Sequence, residues 1–220
     1  MVTRKRNLFW GRKWRTPDIG SGIFVFCVHL LALFAPFTFT WHAFFVGCGK
    51  IVLCGLFGIT LSYHRNLAHQ SFKLPKWLEY IFAYIGVLAI QIHTLPPTGS
   101  GLVIWDGSID SGYMIEKGAS TMFSYHGTFF VNSACHIWGY QTWDTGDLSK
   151  NNWWVALITF GEGWHNNHHA FENSARHGLD RWEIDICWYA IRFLEAVGLA
   201  TNVKLPTKAQ KLKKSFAASE

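Results

Sequence analysis

Eleven histidines in 220 residues are the feature of this sequence best able to do chemistry. Seven residues fall into three short strings: His64-Arg-Asn-Leu-Ala-His69, Asn132-Ser-Ala-Cys-His136 and His165-Asn-Asn-His168-His169. On an α-helix Asn132 and His136 share a face, as do His165 with His168 and His169. His168 and His169 diverge by about 100°, which suits two different metals. His64 and His69 differ by about 140° and about 7.5 Å of rise, which also fits two metals better than one. Nitrogen ligands with no carboxylate at matching spacing suit iron, zinc or copper and exclude calcium and magnesium.

Other metal chemistries fit less well. Haem ligation would place histidine pairs inside membrane helices, whereas these strings stand at or beyond expected helix ends. A zinc hydrolase would want a catalytic glutamate between helical histidines, and neither His64 to His69 nor His165 to His169 contains one. Glu162, Asp144, Asp147 and Glu172 are available to orient imidazoles from behind, and His177, near the third string, reads equally as a residue in the same capacity or as a surface histidine. His29, His42, His93 and His126 have no histidine close by in sequence and read as ordinary polar residues.

The elements that must position these groups are apolar. Half of the residues are hydrophobic, 17% are aromatic and only 15% are charged, which excludes disorder, collagen and coiled coil. The runs Ile23 to Phe39 and Ala43 to Leu61 would cover roughly 25 to 29 Å as helices, close to a bilayer core of about 30 Å with Trp41 and Tyr63 at its interfaces. Lys50 is expected to snorkel or to face a partner helix. The uncharged link Pro36 to His42 makes a hairpin of the two spans. Basic residues flank both outer ends: Arg4, Lys5, Arg6, Arg12, Lys13 and Arg15 before the first, Arg65, Lys73 and Lys76 after the second. Both ends therefore face the positive-inside compartment, and the N-terminus reads as a signal anchor.

The expected fold class is an all-α membrane protein: a transmembrane helical hairpin with two clear spans, and a cytosolic or stromal helical cap carrying the histidine strings. Tyr80 to Ile90 and Ala119 to Val131 are too short to span, and Ile184 to Ala200 carries a helical stripe of Ile184, Trp188, Ile191 and Leu194 that suits the headgroup plane or the cap core. Gln91 to Gly112 reads as loop and Lys204 to Lys214 as a solvated tail. Five scattered cysteines (Cys27, Cys48, Cys54, Cys135, Cys187) give neither a disulfide framework nor a zinc ribbon. The net charge of +6 suits anionic lipid, and no nucleic-acid motif accompanies it.

At the histidine strings the sequence resembles the membrane-bound fatty-acyl desaturases, specifically the plant acyl-CoA/acyl-lipid delta-9-type branch. The matching stretches are Ile59 to Leu78, Val131 to Gly139, Gly146 to Trp154 and Phe160 to Leu179, and the likeness covers nearly the whole chain except roughly Ile92 to Thr128. The resemblance implies a single desaturase domain over 1–220, two iron ions, a fatty-acyl substrate carried on CoA or a glycerolipid in a buried tunnel, and O2 as oxidant. It implies cytochrome b5 or ferredoxin as electron donor and a multi-pass protein of the endoplasmic reticulum or plastid membrane. Carried over, His64, His69, His136, His165, His168 and His169 ligate iron, Asn132 binds through a water, and Glu162, Asp144, Asp147 and His177 stand behind the ligands.

The chain departs from that family between residues 92 and 128, where the middle histidine box and a second membrane hairpin are expected and Ile92-His93-Thr94-Leu95-Pro96-Pro97 stands instead. Six histidines leave about three nitrogens per iron. Losing a whole hairpin keeps both remaining halves on one side of the membrane. Gly101 to Gly107 can be encoded by codons whose regrouping in another frame reads Phe-Ser-His-Met-Gly-Trp, a family-like string, so a frame-shifted or mis-spliced segment is one expected origin. A catalytically inactive remnant, or a non-enzymatic membrane partner of intact desaturases, is the alternative function.

Overall fold

The computed structural model describes residues 16–88 and 126–216. Residues 1–15 and 89–125, which include His93, the expected loop from Gln91 to Gly112 and most of the divergent stretch, lie outside the described residues. Among the described residues the chain is helical, and its only extended pairing is three isolated bridges.

Helix α1 spans Thr16–Leu33. The expected span ran to Phe39, but Pro36 has no N–H to donate and disfavours a helical residue before it, so the α-helix stops at Leu33 and a 3₁₀ turn, Ala35–Thr38, follows. Helix α2, Trp41–Ile51, then continues without a break as a π-wound segment, Val52–Ala68. The second span was expected to end at Leu61, so that His64 would lie beyond it. Instead His64 lies inside the helix and His69 caps it. Among the described residues, Phe44–Ala68 is the one helix long and apolar enough to cross a membrane. Phe26, Leu30, Leu33, Phe37, Trp41 and Phe45 on and around α1 and α2 are exposed, as side chains facing lipid are. Lys50 is half-buried.

Helix α3, Lys76–Val87, packs on the π segment at close range. A Cβ at Gly58 would lie 2.6 Å from the Gly86 Cα, so two glycines let the backbones touch, and the Tyr63 hydroxyl donates to the Ala83 carbonyl at 2.9 Å beside them. Helix α4 covers 126–137. Short helices α5 (Trp153–Ile158) and α6 (His165–Ala170) follow, with Asn152 capping α5 through the Val155 N–H.

Helix α7, Ile186–Ala196, is capped by Asp185 and amphipathic. Its Cys187, Ile191 and Leu194 join Leu56, Leu61, Phe72, Leu74 and Leu78 in the main core, with Trp188 packed against it. The stripe expected from Ile184 begins late: Ile184 precedes the helix and is exposed, its carbonyl accepting the Trp164 indole N–H at 2.8 Å. The C-terminal tail is solvent-facing as expected, with no buried residue in its helix, but it is ordered. Backbone pairing of Lys73 with Thr201 and of Lys204 with Ser71 pins it to the cap, and a Thr207/Gln210 capping box starts α8, Lys208–Lys214.

Candidate metal centre

Six histidines from three parts of the chain meet as two groups of three: His64, His69 and His168, and His136, His165 and His169. Within each group one nitrogen per ring lies within 4.8 Å of the others. The π segment supplies the first pair. Its wider turn, with the His69 N–H donating to the His64 carbonyl at 3.0 Å, puts residues i and i+5 on one face. The expectation that His64 and His69 would serve different metals assumed 3.6 residues per turn and is overturned: their rings lie 4.8 Å apart, and both face His168, at 4.7 and 4.6 Å.

The third string sits on α6, one turn and a half long. His165 and His169, four apart, stack toward His136 of α4, with ring centroids 4.3 Å apart between the first two and 5.0 and 5.8 Å from each to His136. His168 points to the other group, so neighbours in sequence divide between two sites. The Nε2 atoms converge, His64 on His168 at 3.3 Å and His136 on His165 at 3.2 Å.

Carboxylates hold the outer nitrogens. Glu162 pairs with the Nδ1 of His64, and Asp147 with the Nδ1 of His169 at 2.6 Å. A carboxylate on Nδ1 orients the imidazole and favours the tautomer that presents Nε2 to a metal. His165 and His168 are buried, and their Nδ1 atoms have no partner. Convergent ring nitrogens in two groups of three, with carboxylates behind His64 and His169, fit a pair of borderline metal ions such as iron. His177 is 1% exposed, its ring 4.6 Å from that of His168 and its Nδ1 3.6 Å from Glu162. Asn132 lines the cavity next to the histidines and donates its amide to the Thr128 carbonyl at 2.9 Å. Asp144 does not reach a histidine: its carboxylate accepts the Gly146 N–H at 3.2 Å within its own turn.

Electrostatics follow burial. Burial, then His169 and His136, pushes His165 down to about 3. Burial with His177 and His64 nearby holds His168 well below the ordinary histidine value, and burial with Arg65 nearby does the same to His177. For Glu162 burial acts upward, but His64, His177 and Arg65 outweigh it and hold the carboxyl well below its usual range. Burial likewise acts upward on Asp147, and hydrogen bonds from Ser149, Thr145 and His169 bring it down.

Arg65 was counted above as a flanking surface charge; it is fully buried. Its guanidinium donates to Glu162, to both oxygens of Asp185 and to the Ala175 carbonyl, at 2.8 to 3.0 Å. Asp185 also accepts the backbone N–H of His177 at 2.8 Å and caps α7. The sequence signal for Asp185 was its place directly before an apolar helix, an N-cap position. Gly161, at φ +116°, admits this carboxylate: a Cβ there would stand 2.3 Å from its Oδ1. Asn167 knits α6 to the cap through Asn151, Trp143, His177 and Glu183. His29 and His126, read above as solitary, meet at 3.0 Å between α1 and α4, whereas His42 is exposed.

Both groups open on one cavity of about 340 Å³. Ile51, Gly55, Ile59, Val131, Ile158 and Phe160 form apolar wall, and His64, Glu162, His165, His168 and His169 its polar end.

No family model matches the chain. Among curated proteins it is 40% identical over 283 residues to a chloroplastic palmitoyl-monogalactosyldiacylglycerol delta-7 desaturase of Arabidopsis thaliana, covering 98% of this chain and 76% of that protein. It is 40% identical to an acyl-CoA 5-desaturase of Anemone leveillei, over 97% of this chain and 88% of the other. It is also 40% identical to delta-9 acyl-lipid desaturase 1 of Arabidopsis thaliana, over 94% and 90%. A matched stretch of 283 positions exceeds the 220 residues available, so that relative carries internal residues with no counterpart here.

Proposed function

The chain belongs to the plant acyl-CoA and acyl-lipid desaturases, and we propose that it introduces a cis double bond into a saturated acyl chain by O2-dependent di-iron chemistry. The observation that carries this reading is two three-imidazole groups at the polar end of an apolar cavity. His64, His69 and His168 would hold one iron, His136, His165 and His169 the other, with Asn132 contributing through a water. The bound pair supplies, with O2 and external electrons, the oxidising power to remove two hydrogens from adjacent methylenes.

The chain's own residues do the rest. Burial keeps His165 and His168 neutral and therefore able to ligate. Glu162 and Asp147 orient His64 and His169, while Arg65 fixes Glu162. The apolar wall binds the acyl chain by burial alone and keeps water from the reacting carbons. Position along that wall decides which carbons meet the metals.

The carrier is CoA or a glycerolipid, and the electron donor is cytochrome b5 or ferredoxin. The protein is multi-pass in the endoplasmic reticulum or plastid membrane, with α1 and α2 as a hairpin and the histidines in a cap. Residues 1–220 form one desaturase domain whose stretch 92–128 lacks the middle histidine box and second hairpin.

A second reading has its own support, because the matched relatives carry an internal stretch absent here. On that reading the chain is an inactive remnant or a non-enzymatic membrane partner of intact desaturases. Expression in a yeast lacking its own desaturase, with fatty-acid methyl esters analysed and iron counted, separates the two. Unsaturated product with two irons per chain is the expected outcome. No product with substoichiometric iron establishes the remnant.

A further inference from the structure

The cavity's apolar wall contains one contact with no evident purpose in metal binding. Ile51, Gly55 and Ile59 recur at every fourth position along the long helix and face the cavity, with His64 at the far end of the row. Gly55 is the step in that row. A Cβ there would stand 2.8 Å from the Phe160 Cε2, so the missing side chain is what lets the edge of the Phe160 ring lie against the helix. Phe160 also packs against the main core, to which Leu56 and Cys187 belong, so it borders both cavity and core.

Phe160 holds that place in an unfavourable backbone. Its φ is +58°, in the left-handed region that a bulky residue rarely occupies, and its carbonyl is pinned by the Cys187 N–H at 2.9 Å. Strain of this kind persists only where the surroundings over-determine it and concentrates at working sites. A glycine would satisfy the backbone; what it would remove is the ring.

We infer that Phe160, seated in the Gly55 notch, sets how long an acyl chain the cavity accepts. The inference rests on the reading of this cavity as the acyl site. Each methylene that finds apolar wall gains about fourfold in affinity, and the gain ends where the chain meets the ring. Phe160 is a specificity-determining residue and not one of the metal ligands.

Binding of a homologous series of saturated free fatty acids to the purified full-length chain, by competition with a fluorescent fatty acid, tests it without any turnover. For the unaltered protein, affinity should climb with length and then break. Phe160→Ala should move the break to longer acids and Phe160→Leu should move it less. Gly55→Ala, which drives the ring into the cavity, should move it to shorter ones. The double variant should behave as Phe160→Ala, because without the ring the added Cβ meets nothing. General damage would weaken all lengths alike and cannot give shifts of opposite sign. Binding whose break stays at one length in all variants overturns the inference and leaves the acyl site standing. No saturable binding of any fatty acid overturns the acyl reading itself, and the inference with it.

Discussion

Replacing Arg65 by methionine isolates the buried ion cluster behind the first histidine group. Methionine approximates the length and packing of the arginine stem and removes the charge. The guanidinium makes hydrogen bonds to Glu162, Asp185 and the Ala175 carbonyl, and both carboxylates are themselves buried. Removing one partner of a buried pair typically costs about 3 to 5 kcal/mol, because the remaining charge stays desolvated and unpaired. Two carboxylates are stranded here. Protonation of Glu162 relieves part of the cost, so the lower half of that range, about 3 kcal/mol, is the expected loss at neutral pH.

The assay is chemical denaturation of the detergent-solubilised chain, followed by tryptophan fluorescence at constant m-value. The loss should shrink in Asp185→Asn, where one carboxylate is already neutral, a coupling measured by the double-mutant cycle. Arg65→Lys should recover little, since a point charge cannot serve Glu162, Asp185 and Ala175 in the planar fork that arginine offers. A loss below about 1 kcal/mol, or full recovery by lysine, would refute the argument that this cluster holds the cap together.

Three further outcomes are expected. Glu162→Gln should weaken metal binding at the first histidine group about 10- to 100-fold, and Asp147→Asn at the second, read by equilibrium dialysis; equal losses at both groups from either change would contradict the assignment of one carboxylate to each. The metal-free chain should lose stability as pH falls below about 6.5: His165 binds its proton in the unfolded chain near that pH but in the folded chain only at about 3. The unfolded state therefore holds more protons between those limits, worth about 2 kcal/mol from His165 alone by pH 5, and denaturation midpoints that stay flat from pH 7 to 5 would count against it. Gly58→Val should destabilise by roughly 2 kcal/mol or more through collision with the Gly86 backbone, and a neutral effect in thermal unfolding would mean that α3 and the π segment are free to part.

Histidine types and spacings were enough to single out the six residues that the fold gathers into two candidate metal groups, and to divide His168 from His169, because a short helix presents i+3 and i+4 on faces that can be counted from the chain. Apolar runs were enough to locate the long helices, since burial or lipid contact is the only way to accommodate them. Asp185 was not singled out, because the apolar run was read from Ile184 and so placed it inside the helix instead of at its N-cap. The pairing of His64 with His69 was not legible, because it depends on a turn wider than 3.6 residues that no pattern in Val52–Ala68 declares. Nor was the burial of Arg65: as a sequence feature it is a basic residue after a span, and its place among Glu162, Asp185 and Ala175 joins positions 97 to 120 residues apart. His29 and His126 met for the same reason across 97 residues. Local chemistry lies along the chain, whereas which ring faces which, and which charge is withdrawn from water, is decided by packing between segments that only the tertiary fold brings together.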